Sequence, residues 1–448
     1  MGTTDTACQR RALPTAPTKF ATHSQALGEY GKGYSRWVGA KETVEVTGHL
    51  MDTGVLSRIL DDIRDYGGDY VLDQFEVGHE AHDPSSARIT VEADDDESLQ
   101  RLLMRLQTRG VNPTSIAEAS TRPAERDGVL PDGFYATTNL DTRVHVDGAW
   151  HDVENPEMDC GLVVDASSPG LRVRTVPMTD VRTGMRVVVG TAGIRVSVPS
   201  RDDGADTFAT VEAELAGERP QTVLVRQVAD GMRQARADGR RLLWVVGPGV
   251  VHTGAVPAMV ALVRAGFVDV LFAGNALATR DIESALYGTS IGVEVSTQGG
   301  EHGHEHRVRA LNTIRKAGSI AAAVDEGTVT SGIMHALVTG RKPFVLVGSV
   351  RDDAPLPDVH TDVVAGQRAM RAEIRDVGYC LMLAAQLHAV ATANILPASV
   401  PLVCVDLDPA TVTRIVDRGT ARGRGIVTDV GLFLEQLALE LVTGYPRG

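Results

Sequence analysis

From about residue 220 onward, short apolar runs alternate with amphipathic stretches of helical length. LLWVVG (242–247), VDVLFAG (268–274), IGVEVS (291–296), PFVLVGS (343–349) and PLVCVDLD (401–408) read as strands, the last of these being the final clear one. QTVLVRQVADGMRQARADG, VPAMVALVRAG (256–266), a segment within RALNTIRKAGSIAAAVDEG (309–327) and VVAGQRAMRAEI read as helices, and YCLMLAAQLHAVAT reads as a strand entering a helix. A strand apolar on both faces needs cover on both, so this pattern predicts an α/β fold with a doubly wound, Rossmann-like parallel sheet.

Two different patterns precede it. Residues 43–125 read β-α-β-β-α, with strands in VEVTGHLM (44–51), DYVLDQFEVG (69–78) and SARITVEAD (86–94) and helices in GVLSRILDDIRDYG and DDESLQRLLMRLQTRG. That order fits a ferredoxin-like or ACT-like α+β domain. Residues 126–205 are rich in strands and turns, with an Asp-Gly hairpin signal in VDGAW (146–150), and are expected to bridge the outer parts. Residues 1–42 are expected to form a tail, and 206–448 the Rossmann-like domain.

Charge and cysteine usage exclude several classes. Forty-four Lys+Arg against 58 Asp+Glu give a formal charge of −14, a balance that repels nucleic acid. No apolar run reaches spanning length and no secretory core opens the chain, so a cytoplasmic protein without membrane contact is expected. Cys8, Cys160, Cys380 and Cys404 show no CxxC spacing, which fits a reducing compartment. The five lysines leave few carriers for a Schiff base.

In an open parallel sheet, ligands bind where strands end. Four such ends carry suitable residues. After LLWVV come Gly247, Pro248, Gly249, His252, Thr253 and Gly254, either a phosphate-binding loop or an ordinary glycine-rich turn. Gly274, Asn275 and Ala276 follow VDVLFA, the Asn bonding a ligand or its own backbone. Gly348, Ser349 and Arg351 follow PFVLV, the Arg facing a pyrophosphate or Asp352 and Asp353. Asp406 and Asp408 close the last strand, where a carboxylate can accept both hydroxyls of an adenosine ribose and favour NAD over NADP. Asp429 can do the same or cap the final helix.

The segments GPGVVHTGA, FAGNALA, VLVGSVRDD, VCVDLDP and TDVGLFLEQL resemble, in this order, a deoxyhypusine-synthase-like NAD/FAD-binding domain. Nearly the whole chain from residue 43 resembles the family named for the conserved domain of lysine-oxoglutarate reductase/saccharopine dehydrogenase. That family includes archaeal-type, NAD-dependent ornithine cyclodeaminases. The phrases carrying the resemblance are GHLMDTGVLSRILD, GGDYVLDQFEVG, FYATTNLDTRV, ENPEMDC, AGNALATRDIESALYG, TVTSGIMHALV, SVRDDAPLPDVHTDV and LPASVPLVCVDLDPATVT. The chain departs from the family pattern at Arg280, where a His is expected, and in the segment 299–306, GGEHGHEH.

The resemblance implies conversion of L-ornithine to L-proline and ammonia through an internal NAD cycle. His302, His304 and Glu305 are then expected to move protons, with Asp281 and Asp159 behind them. Asn139 and Arg143 are expected to hold the substrate carboxylate; Glu157 or Asp159 is a candidate for its ammonium, and Arg280 is a further substrate-site candidate. Arg143 is otherwise a surface arginine, and Cys160 reads as structural. The histidine-rich segment lacks HExxH spacing, so no metal is expected. Related readings are lysine cyclodeamination, amino-acid or opine dehydrogenation, and an NAD- and amino-acid-binding sensor. A homodimer or homotetramer is expected.

Overall fold

The computed structural model describes residues 39–48, 50, 55–78, 83, 85–166, 170–197, 221–290, 293–294, 303–416 and 423–446. The expected tail falls almost wholly outside them, although the first strand already begins at Ala40.

β1 (Ala40–Gly48), α1 (Val55–Asp65), β2 (Asp69–Glu76), β3 (Ser85–Ala93), α2 (Asp96–Gln107) and β4 (Asn112–Pro113) form the first unit. Its sheet has the order β2-β3-β1-β4 with antiparallel pairings throughout, which is the split βαβ arrangement of ferredoxin-like folds. The helices bury Ile59, Ile63, Leu99, Leu102 and Leu106 against Val44, Val46, Ile89 and Val91. α2 starts where expected because the Asp95 carboxylate accepts the Ser98 amide at 2.7 Å.

A seven-stranded sheet follows: β5 (Ser120–Pro123), β6 (Asp141–Val146), β7 (Ala149–Glu154), β8 (Gly161–Asp165), β9 (Arg172–Val176), β10 (Arg186–Val189) and β11 (Ile194–Ser197). Their order is β11-β6-β7-β9-β8-β10-β5. The β6–β7 hairpin turns at Asp147 and Gly148, with φ of 53° and 78°, as the Asp-Gly pair predicts. This sheet is tied to the C-terminal part by two backbone bonds, Met158 N to Asn394 O at 2.8 Å and Ala398 N to Asn139 O at 2.7 Å.

The C-terminal part runs α3 (Gln221–Ala237), β12 (Arg241–Val246), α4 (Gly249–His252), α5 (Val256–Arg264), β13 (Val270–Ala273) and α6 (Asn275–Tyr287). A small hairpin, β14 (Thr289–Ser290) and β15 (Val293–Glu294), leads to α7 (Gly303–Ala317), α8 (Ile320–Asp325) and α9 (Ile333–Thr339). Next are β16 (Phe344–Val347), β17 (Val359–His360), α10 (Val363–Glu373), β18 (Val377–Leu383) and α11 (Gln386–Ile395). β19 (Leu402–Asp406), α12 (Pro409–Val416), β20 (Gly423–Val427) and α13 (Val430–Leu441) complete it.

The parallel sheet has the order β17-β16-β13-β12-β18-β19-β20. In β12, Leu242, Trp244 and Val246 enter one hydrophobic core while Leu243 and Val245 enter the other. Burial on both faces is why these strands are continuous apolar runs. Three details differ from the sequence reading. IGVEVS contributes only Val293 and Glu294 as described strand, and they pair antiparallel with the residues just before them rather than with the sheet. The stretch 309–327 is two helices, because Gly318 takes φ of 90° and Ser319 caps the second. β17 and β20 extend the sheet at its edges, where a strand needs no long apolar run.

Candidate functional site

The strand order reverses between β12 and β18, since β13, β16 and β17 continue on one side and β19 and β20 on the other. A crevice outside the carboxyl ends of the strands opens at such a reversal. Gly247 ends β12 there, and its amide donates to Leu383 O at 2.8 Å. A β-carbon on Gly247 would lie 1.7 Å from Ala384 O, and one on Gly249 would lie 2.8 Å from the Ala384 β-carbon. Ala384 itself takes φ of 46°, a left-handed conformation costly for alanine. At the next strand, a β-carbon on Gly274 would lie 2.8 Å from Cε1 of His388, on the first turn of α11. The first of the sequence-expected loops therefore packs against the β18–α11 connection so closely that only glycine fits at 247, and the second lies against the His388 ring at the start of α11.

The Gly274-Asn275-Ala276 and Gly348–Asp353 loops are joined by hydrogen bonds. Asn275, almost fully buried, donates from Nδ2 to Asp352 Oδ1 at 2.9 Å and accepts the Leu356 amide at 3.0 Å. Asp352 also accepts the Ser349 amide at 2.8 Å. Asn275 thus shapes the second loop with its side chain. Arg351 is exposed and forms no ion pair with a described residue, so it is not spent on Asp352 or Asp353.

The acidic strand-end residues are partly engaged. Asp406 Oδ1 accepts the Asp408 amide at 2.9 Å. Asp408 caps α12, accepting the Ala410 and Thr411 amides and the Thr411 hydroxyl, which hold its carboxyl below the usual range. Asp429 caps α13 through the Leu432 amide at 2.8 Å, the second of its two expected roles. A β-carbon on Gly431 would crowd the Thr253 side chain, so the start of α13 lies against the first loop.

A polar chain runs from that loop to α7. Arg280 Nη1 donates to the fully buried Glu283 at 2.8 Å. The Thr289 hydroxyl lies 3.3 Å from Glu283 Oε1 and 3.1 Å from Nδ1 of His306, whose ring stacks on Tyr287. His252 has its pKa lowered by burial first and by the Arg280 charge second. The expected His302 lies outside the described residues, as does the side chain of His304. Glu305 is exposed on α7 and pairs with Arg309 at 2.8 Å.

Asp281 is fully buried, and its two oxygens accept the Ile333 and Met334 amides at 2.8 and 2.7 Å, holding the start of α9. Burial pushes its carboxyl up to about 6 even though both amides favour the ionised form.

Residues from the β-rich sheet meet α10 and α11. Asn139 donates to Leu396 O at 3.1 Å, and Glu157 accepts from Arg371 Nε at 2.7 Å, both nearly fully buried. Asp159 takes φ of 61° beside them; its carboxylate is exposed and binds no described residue. Arg143 is the correction in this group. It lies on the outer face of β6, 3.2 Å from Asp152 and above the Trp150 ring, so it does not join Asn139 in a carboxylate clamp. A strand side chain alternates faces, and residue 143 falls on the outer one. Cys160 is buried, its thiol pushed up by desolvation, in keeping with a structural residue.

The crevice suits a dinucleotide: glycine-bearing loops follow β12, β13 and β16 at the strand-order reversal, and α4, α6 and α11 each begin directly after a strand of this sheet. Sequence reasoning missed His388, Glu283, Thr289 and Arg371. His388 sat unnoticed in an apolar helical phrase, AAQLHAVAT. Glu283 lies three residues after Arg280, a helical spacing that signals a pair.

Comparison with known proteins covers nearly the same span. Residues 41–140 match the LOR/SDH bifunctional enzyme conserved region. Residues 141–225 match the first C-terminal region of arginine dihydrolase ArgZ-like proteins, and 226–437 match their C-terminal Rossmann fold. The ornithine cyclodeaminase of Methanothermobacter thermautotrophicus is 45% identical over 400 residues, covering 89% of this chain and 97% of that protein. The bifunctional arginine dihydrolase/ornithine cyclodeaminase AgrE of Nostoc is 37% identical, and the match covers 58% of it. Among solved structures, apo ArgZ, a cyanobacterial arginine dihydrolase, aligns with a TM-score of 0.78 at 34% identity, covering 90% of this chain and 58% of that one. A LOR/SDH protein from Methanococcus maripaludis aligns at 0.67 and 42% identity, covering 73% and 97%.

Proposed function

The chain belongs to the ornithine cyclodeaminase family that carries the LOR/SDH conserved region, and from that premise we propose that it converts L-ornithine to L-proline and ammonia with NAD as internal cofactor. NAD, when bound, would supply an acceptor and then a donor of one hydride at the substrate's α-carbon, so that no net oxidation results. The observation carrying this reading is the strand-order reversal between β12 and β18, where Gly247 packs on Ala384 so closely that the two strand ends and their glycine-bearing loop meet at the crevice.

In this reading the Gly247–Gly254 loop and the start of α4 receive the pyrophosphate. Gly274, Ser349 and Arg351 line the same edge, and Asp406 is assigned to a ribose. Asp159 holds a substrate ammonium from the β-rich side, with Asn139 and the Glu157–Arg371 pair fixing its surroundings. The residues have three tasks. They must remove a proton from the α-ammonium so that its lone pair can assist hydride departure. They must free the δ-amine to attack the α-carbon. They must then reprotonate the α-nitrogen so that it leaves as ammonia, while water is kept out between the hydride steps.

The product places the reaction in proline formation. A reducing, cytoplasmic setting fits the described cysteines, Cys160, Cys380 and Cys404, which are free and buried. No described helix is long and apolar enough to cross a membrane. A homo-oligomer is part of the same proposal, in line with the separate β-rich and ferredoxin-like sheets that precede the Rossmann part in the chain.

The test is turnover of ornithine carrying deuterium at Cα and ¹⁵N on the α-amine, with NAD well below substrate. Proline should keep the deuterium, ammonia should carry the ¹⁵N, and no NADH should build up at 340 nm. Stoichiometric NADH would mean a dehydrogenase, pipecolate from lysine alone would mean a different substrate, and binding without ammonia would mean a sensor.

A further inference from the structure

His388 occupies the centre of the crevice edge. It lies on the first turn of α11, directly after the Ala384 turn that packs on Gly247, and its ring lies against Gly274. Its Nε2 is 2.9 Å from Val347 O, the last residue of β16 before the Gly348 loop. One imidazole therefore touches or borders the ends of β13, β16 and β18.

The tautomer follows from that contact. A backbone carbonyl only accepts, so Nε2 must carry the proton and donate it to Val347. Burial lowers the ring's pKa, with smaller opposing effects from the Val347 bond and from Asp352, so the ring holds a single proton near neutrality. Nδ1 is then left with its lone pair, and it makes no hydrogen bond to a described residue. That second nitrogen is an acceptor on a ring wedged among the loops that would hold the cofactor, and the Val347 bond fixes the direction of its lone pair.

We propose that His388, through Nδ1, is the acid–base catalyst of the cyclodeamination. The proposal rests on the reading above. Nδ1 accepts a proton from a substrate ammonium: an N–H bond to the substrate breaks, an N–H bond to the ring forms, and the amine recovers its lone pair. The imidazolium, still bonded to Val347, later returns that proton to the α-nitrogen, whose bond to carbon breaks as ammonia departs. The δ-ammonium gives its proton to solvent on binding; after protonating the α-nitrogen the ring takes the extra proton of the new ring nitrogen and returns it to proline, while the departed ammonia takes one from solvent. Protons and electrons then balance, with the NAD of the overall reaction as the only redox partner. Neither step asks the ring to move.

Two substitutions separate catalysis from anchoring. His388→Gln keeps an amide N–H able to reach Val347 O but removes the base; His388→Asn loses the bond to Val347. With NAD affinity by calorimetry and melting temperature as controls, His388→Gln should bind NAD as the wild type does and lose at least about 100-fold in kcat. Turnover of His388→Gln within threefold of wild type overturns the proposal. The second measurement needs no turnover. In histidine-labelled wild-type protein, assigned by backbone connectivity, the ¹⁵N shifts of His388 at pH 7.5 should show Nε2 protonated and Nδ1 bare. A protonated Nδ1 overturns the proposal even if both variants fail to fold. Labelled proline from wild type alongside an active His388→Gln would reject His388 while leaving the family reaction intact.

Discussion

The α-carbon of Gly247 approaches Ala384 so closely that a β-carbon there would lie 1.7 Å from the Ala384 carbonyl oxygen. The contact joins the ends of the two central strands, β12 and β18, where the sheet order reverses.

Gly247→Ala should therefore cost stability and cofactor affinity together. The overlap involves backbone on both sides, so neither partner can swing away, and β12 and β18 must separate. We expect a loss of roughly 3 kcal/mol in urea unfolding. Weakened NAD binding by calorimetry should accompany it, because the same displacement opens the crevice. An alanine variant as stable as wild type would show that the strand ends yield easily and that the glycine is not required by packing.

Arg280 and Glu283 form a pair in which the carboxylate is fully buried and the guanidinium side chain is 19% exposed. Arg280→Met removes the positive partner at 2.8 Å from a fully buried carboxylate that the Thr289 hydroxyl alone does not neutralise, so it should destabilise by about 3 kcal/mol. It should also raise the pKa of His252, because Arg280 is one of the two influences that lower it. Histidine NMR titration of wild type and variant reads this directly; an unchanged His252 would show that burial alone sets its value.

These two cases mark what was legible in the amino-acid order. The parallel sheet was, because strands buried on both faces must be apolar runs, and so were the loops, because a glycine follows each of β12, β13 and β16. The partners of side chains were not. Arg143 was expected beside Asn139, yet the strand's alternation turns it outward to Asp152, while Asn139 reaches across 257 positions to Leu396. Ala384 adopts a left-handed turn that no glycine advertises. β20 follows what the sequence shows as its final clear strand, because Gly-Arg-Gly lacks an apolar face, and its edge position allows it to be a strand.

Asp281 carries a pH signature that can be isolated. Its carboxyl is raised from 3.8 to about 6 in the folded protein, so between those values the native state holds more proton than the unfolded chain. Stability from this group is therefore greatest below 3.8 and falls as pH rises through about 6, by up to roughly 3 kcal/mol. Asp281→Asn removes the titration while keeping one acceptor for the Ile333 or Met334 amide. The difference in unfolding free energy between wild type and variant should shift against the wild type from pH 4.5 to pH 6.5. A constant difference across that window would mean that the two amides fully offset the cost of burial.

Asp159 is the residue through which substrate binding can be separated from folding. Its φ of 61° is tolerated by Asp and Asn alike, and its carboxylate bonds no described residue, so nothing in the fold depends on its charge. Asp159→Asn should melt within about 2 °C of wild type, consistent with the small effect of an exposed change. If the carboxylate holds a substrate ammonium, the loss of one charged hydrogen bond weakens ornithine binding by about 1.5–3 kcal/mol, or roughly 10- to 150-fold in KM. NAD affinity should stay unchanged, because the assigned cofactor loops lie at the first turn of α11, whereas Met158, beside Asp159, bonds Asn394 at its last turn. An unaltered KM would move the ammonium site away from Asp159; a lost NAD affinity would show that the β-rich sheet and the Rossmann part share the dinucleotide.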